Sequence, residues 1–117
     1  MTLKSSITTR IRARPKQTMP KRDFPPVHPG EILKQEFLQP LELSAYALAN
    51  ATGMPRTRIN DILLGRRGIT ADTALRLARY FGTDAQSWLN LQTRYDLEVA
   101  SEALAGRLNR EVKPRAA

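Results

Sequence analysis

From about residue 29 onward, apolar side chains recur at intervals of three and four, and glycine or proline breaks the pattern between short blocks. That period is the one that gives an α-helix an inner face, so the blocks predict consecutive helices. In "HPGEILKQEFLQPLELS" Pro29 suits a first helical position and Glu31 the positive end of the helix dipole. Ile32, Leu33, Phe37 and Leu38 supply an apolar face around Glu36, and Pro40 is expected to stop the helix. Ser44 is a fitting N-cap for "AYALANAT", which Gly53 ends through a left-handed turn. Pro55 opens a third helix with Ile59, Ile62 and Leu63 as its buried stripe, and Gly65 closes it. Thr70 caps "ADTALRLARYF", where Ala74, Leu75, Leu77, Ala78 and Phe81 form the expected inner face and Gly82 the stop.

Thr83 and Gln86 stand in capping-box spacing at the head of the fifth helix, "DAQSWLNLQTRYDLEVASEAL". This helix carries two stripes. Trp88, Leu91, Tyr95 and Val99 make one; Leu89, Leu97, Ala100 and Leu104 make the other. A helix with one neighbour needs one stripe, so the second is expected to face another subunit and form a homodimer. No strand alternation occurs. The expected class is all-α: a compact five-helix domain over residues 24–105, with a disordered basic arm over 1–23 and a flexible tail over 106–117.

The stretch "SAYALANATGMPRTRINDILLGRR" meets the demands of a helix-turn-helix. Two helices that cross closely want a small residue midway along the first, supplied by Ala49. The turn four residues later wants a left-handed conformation, supplied by Gly53, and the second helix must bury aliphatic side chains, supplied by Ile59 and Ile62. On the opposite side of the wheel lie Thr57, Asn60, Asp61 and Leu64, flanked by Arg56 and Arg58. These are chiefly groups able to touch base edges or phosphates. A plain helical hairpin has the same periodicity, but it does not call for this joint spacing followed by Arg66 and Arg67.

Charge sharpens the reading. The formal net charge is +8, yet residues 1–23 hold seven Lys or Arg against Asp23 alone, and the remaining 94 residues hold twelve basic and ten acidic side chains. Within that nearly neutral part, four of the twelve basic residues cluster as Arg56, Arg58, Arg66 and Arg67. The absence of cysteine excludes disulfides and thiolate metal sites and fits a reducing cytoplasm. No apolar run approaches the roughly 18 residues of a membrane span, so no membrane association is expected. The first 22 residues are Arg- and Ser/Thr-rich without acids, a composition shared with mitochondrial presequences. Met19 stands nine residues before His28, so two starts are open: a basic extension beginning at Met1, or translation from Met19.

The combination of "HPGEIL", "ALANATGMPRTRINDILLGRRGITADTALRLARYFGT" and "WLNLQTRYDLEVA" resembles the HigA antitoxins, a branch of the xenobiotic-response-element-type helix-turn-helix proteins. The resemblance covers about residues 24–100. It implies a dimeric domain that binds double-stranded operator DNA, represses its own operon and neutralises a HigB-type RNA-cleaving toxin. Carried over, it puts Arg56, Thr57, Asn60 and Asp61 in the major groove, where Arg can pair with guanine, Asn with adenine and Asp with the cytosine amino group. It puts Arg58, Arg66, Arg67 and the Ser44 end of the second helix on phosphates. Asp61 has an alternative partner in Arg58 or Arg66. The long basic arm departs from the family pattern, whose members usually begin just before the "HPGEIL" segment.

Catalysis finds no inventory. His28 is the only histidine and has a capping or surface role as its simplest explanation, and Glu36 and Glu42 are separated by Pro40. No enzyme activity, metal or cofactor is expected. A stand-alone helix-turn-helix repressor without a toxin is the alternative to the antitoxin.

Overall fold

In the computed structural model, which describes residues 25–116, the first helix, α1, is one unbroken run of three pieces: an α-helical turn (Pro29–Ile32), a π-helical stretch (Leu33–Leu38) and a last turn (Gln39–Leu41). His28 caps it, its Nδ1 accepting from the Gly30 N–H at 2.8 Å. Pro40 does not stop this helix, contrary to the sequence expectation. Proline lacks an N–H and its ring excludes the carbonyl four residues back. A wider turn, in which the Gln39 N–H reaches the Lys34 carbonyl, accommodates the ring. The register follows suit, because the buried pair Leu33 and Leu38 and the half-buried pair Ile32 and Phe37 are each five residues apart. The true stop is Glu42, left-handed at φ 53°, where the Leu43 N–H closes back on the Leu38 carbonyl at 2.9 Å.

Helix α2 (Ala45–Thr52) is capped by Ser44, whose Oγ accepts from the Ala47 N–H at 3.0 Å, and it ends at left-handed Gly53. Helix α3 (Arg56–Leu63) starts one residue later than expected, with extended Pro55 as its N-cap. Helix α4 (Ala71–Phe81) is capped by Thr70 and stopped by Gly82. Helix α5 (Ala85–Ala103) is capped by Asp84, which accepts from the Ser87 N–H, rather than by the expected pair. Thr83 instead accepts from the Trp88 indole N–H at 2.8 Å, and Gln86 donates to Asn90. The segment expected to be a flexible tail holds a short helix, α6 (Arg107–Glu111), with no buried residue and an Arg107–Glu111 ion pair along its side at 3.1 Å. The basic arm lies outside the described residues. Among those described there is no strand, and no helix is long and apolar enough to cross a membrane.

The core joins Leu33 and Leu38 of α1, Leu48 and Ala49 of α2, Ile59 and Ile62 of α3, Ala74, Leu77 and Ala78 of α4 and Trp88 of α5. Phe37 packs at a tilt against both Phe81 and Trp88, with ring centroids 4.8 and 5.2 Å away. Leu75, expected inside, is 62% exposed, because the buried stripe at Ala74, Leu77 and Ala78 leaves it about 100° off that face. On α5, Leu89 packs partly against the core, whereas Leu97 (65%) and Ala100 are exposed and Leu104 is half-buried.

His28 ties α1 to two other elements. Its ring meets Tyr95 of α5 edge-on at 4.8 Å and lies beside Gly65 at the end of α3. Burial lowers its pKa, against weaker opposing pulls from Asp96 and Glu31. The capping role needs neutral Nδ1, so protonation and capping compete. Above the unfolded value of about 6.5 both states are neutral and the cap contributes fully. As pH falls through that value the unfolded chain takes the proton first, and stability is lost until the folded pKa is passed. The thermal midpoint should therefore drop between pH 7 and 5, and His28→Asn, which caps without titrating, should flatten that slope. Identical pH profiles for both proteins would remove His28 as the cause.

Candidate nucleic-acid interface

Helices α2 and α3 pack on one another; Ala49 of α2 is 2% exposed, and Ile59 and Ile62 of α3 are fully buried in the same core. That burial fixes the rotation of α3 about its axis. Thr57, Asn60 and Leu64 consequently face solvent, as the wheel indicates, and Asp61 is half-buried at the edge of the same face. A cleft of about 890 Å³ runs between this face and the end of α1, lined among others by Ser44, Thr57, Asn60, Asp61 and Arg66. Ser44 accepts from Ala47 with its oxygen, which leaves its O–H free to donate outward.

The arginines are held differently from one another. Arg58 donates to Asp72 of α4 at 2.7 Å, and the same carboxylate oxygen accepts from Arg76 at 3.1 Å. Hydrogen bonds from Arg58, then Arg76, hold the Asp72 carboxyl below its ordinary pKa. Arg76 in turn reaches the Thr52 carbonyl at 2.9 Å, on the negative end of α2. The chain Arg58–Asp72–Arg76–Thr52 thus braces both helices of the motif against α4. Asp61 sits between Arg66 and Arg67, at 3.9 and 3.8 Å. The Arg66 partner is one that the sequence suggested; the Arg67 partner is not. Both arginines remain at least half exposed, so these loose pairs orient the side chains and contribute little stability. Arg56 lies over the ring of Tyr46, its Cζ 5.1 Å from the centroid.

The loop after α3 is fastened from behind. Gln92 of α5 accepts from the Ile69 N–H at 2.7 Å and donates to Asp96 at 2.8 Å, with Gly68 packed against its amide. No local pattern in the sequence marks Tyr46, Asp72, Arg76 or Gln92, because each meets a partner in another element, Arg56, Arg58, Thr52 and the Ile69 N–H respectively.

A buried crossing, a left-handed turn and an outward polar face flanked by arginines define a helix-turn-helix domain. Comparison with known proteins agrees: a family model described as Helix-turn-helix matches residues 34–88. Virulence-associated protein I of Dichelobacter nodosus is 61% identical over 82 residues, covering 70% of this chain and 76% of the relative. Antitoxin HigA-1 of Vibrio cholerae is 40% identical over 72 residues, covering 62% and 68%. The solved structure of Pseudomonas aeruginosa antitoxin HigA with the higBA promoter is 46% identical, with a TM-score of 0.75 over 78% of this chain and 99% of that one. The chain belongs to the HigA antitoxin family of helix-turn-helix DNA-binding proteins, and it is not an enzyme.

Proposed function

We propose that this protein is the antitoxin of a type II toxin–antitoxin pair, which binds the operator of its own operon as a homodimer and neutralises a HigB-type RNA-cleaving toxin in the cytoplasm. The observation that carries the DNA-binding part is the split of α3 into a fully buried face, Ile59 and Ile62, and an exposed polar one, Thr57 and Asn60. Arg56, Thr57 and Asn60 then read base edges. Asp61 can accept from a cytosine amino group only by loosening its hold on Arg66 and Arg67. Those two arginines, with the free donors of Arg58 and the Ser44 hydroxyl, grip phosphates. The toxin partner and the self-regulation rest on the likeness to HigA antitoxins.

Reading and gripping should fail differently. Asn60→Ala is expected to weaken operator binding by about 1–3 kcal/mol and leave random DNA nearly unaffected, because an amide pairs with one base edge. Arg67→Ala is expected to weaken both and lower the salt slope by about one unit, since one fewer counterion is released. Salt titrations of operator and scrambled duplex decide this. Equal loss on both duplexes for Asn60→Ala would mean α3 faces the wrong way. Growth rescue on co-expression of the neighbouring toxin gene tests the second activity, and its failure would leave a stand-alone repressor.

In this reading the dimer forms through the outer stripe of α5, a site supported by the exposure of Leu97 and Ala100, with Leu104 half-buried and Leu89 at the inner edge against the core. Two recognition helices related by two-fold symmetry would then meet half-sites about one DNA turn apart. Replacing Leu97 and Leu104 with polar residues should shift sedimentation towards monomer more than it lowers the thermal midpoint. A wild-type protein that stays monomeric at micromolar concentration, with and without operator, would end the dimer reading.

A further inference from the structure

Within the helix-turn-helix and its loop, Arg58, Arg66 and Arg67 each have a carboxylate partner, at 2.7, 3.9 and 3.8 Å respectively. Arg56 has none among the described residues. Its guanidinium carbon instead lies 5.1 Å over the centre of the Tyr46 ring. A carboxylate occupies N–H donors; an aromatic face does not. A guanidinium that rests against an aromatic ring rather than on a carboxylate keeps its N–H groups available to another partner. Arg56 is the first residue of α3 and Tyr46 the second of α2, so the pair sits where both helices begin. Tyr46 is 56% exposed, and this exposure of a large ring has no explanation in the core.

From this geometry we infer that Tyr46 is a positioning residue for Arg56, a shelf that sets the guanidinium plane for a bidentate contact with the O6 and N7 of one guanine in each half-site. The inference rests on the DNA-binding reading above. Its physical basis is that a long side chain already confined by stacking gives up less rotamer freedom when it docks.

The test is a scan in which each guanine of the operator is replaced in turn by 7-deazaguanine, which removes the N7 acceptor and keeps O6. Binding is measured for wild type, Tyr46→Leu, Tyr46→Phe and Arg56→Ala. Wild type should lose about ten-fold or more at one guanine per half-site. Tyr46→Leu should bind the unmodified operator more weakly, and its penalty at that guanine should shrink to about two- or three-fold. Arg56→Ala, which removes the donor, should lose the penalty as well, and Tyr46→Phe, which keeps the ring, should retain it. Thermal midpoints should stay close together, since both side chains are exposed. A full penalty in Tyr46→Leu would overturn the proposal. So would loss of the penalty in Tyr46→Phe, which would assign the effect to the phenol oxygen. Operator binding with no sensitive guanine would overturn it while leaving the DNA-binding reading intact; no operator binding by wild type would remove both.

Discussion

Replacing Trp88 with alanine is expected to destabilise the domain by about 3–5 kcal/mol, the usual cost of truncating a buried aromatic to alanine. The indole is 2% exposed, packs on Phe37 with centroids 5.2 Å apart and donates to Thr83 at 2.8 Å. Its loss removes the α5 side chain that packs on Phe37 of α1 and leaves a void that the rest of a small core has little means to fill. Stabilities of about 5–15 kcal/mol are usual, and a domain of this size belongs towards the lower end, so much of the protein should be unfolded near physiological temperature. Trp88→Phe keeps most of the volume and should cost roughly half as much or less, because exposed Thr83 can turn to water. Urea unfolding followed by far-UV circular dichroism distinguishes the two. A loss under about 1 kcal/mol for Trp88→Ala would show that the aromatic cluster is peripheral to the core.

Gly30→Ala is the second large effect, on the order of 3 kcal/mol, at the upper end of the usual cost of overpacking. Gly30 is buried with an ordinary negative φ, so its need for glycine is one of space. A Cβ there would run into the carbonyl of Ile62. That carbonyl also accepts from the Gly65 N–H at 3.0 Å, closing the end of α3, and the Gly30 N–H donates to His28. Separating α1 from α3 would therefore disturb the cap of one helix and the stop of the other, and operator affinity should fall beyond what the unfolded fraction explains. Gly82→Ala is the control, since nothing lies within 4 Å of a Cβ there and only its φ of 73° opposes the change. It should cost about 1–2 kcal/mol, without effect on DNA. Equal unfolding midpoints for Gly30→Ala and wild type would show that the crossing can open freely.

The contrast between those glycines shows how far the sequence could be read. Gly53, Gly65 and Gly82 announce themselves, because a left-handed helix stop needs glycine at the end of an apolar period, and all three occur there. Gly30 gives no such sign: it stands one residue after a helix-starting proline, and its neighbour is 32 positions away. Ser44 and Thr70 cap as expected, for the same local reason. The capping expectation at Thr83 fails by one residue because Asp84 offers an equally good acceptor and the indole of Trp88 claims the hydroxyl. The π-helical stretch stayed hidden because apolar side chains spaced three, four and five apart all look helical in a short window. Among the site residues, the outward side of α3 follows from where Ile59 and Ile62 must go. The tether from Arg58 to Asp72 spans 14 positions and that from Arg76 to Thr52 spans 24, so no periodicity within one helix carries either.

That tether bears on how such proteins diversify. Among the described residues the exposed side chains of Thr57 and Asn60 make no hydrogen bond or ion pair, so under the proposed base-reading role the letters read there could drift from one relative to another without a toll on folding. Position 58 has no such liberty. Exchanging Arg58 strips Asp72 of its nearest cation and leaves Arg76 as the carboxylate's remaining partner, with the grip on the end of α2 at stake. A recognition helix transplanted from this chain into another scaffold should keep its preference at positions 57 and 60 on its own. It would bring position 58 along faithfully only if an aspartate were grafted with it onto the neighbouring helix.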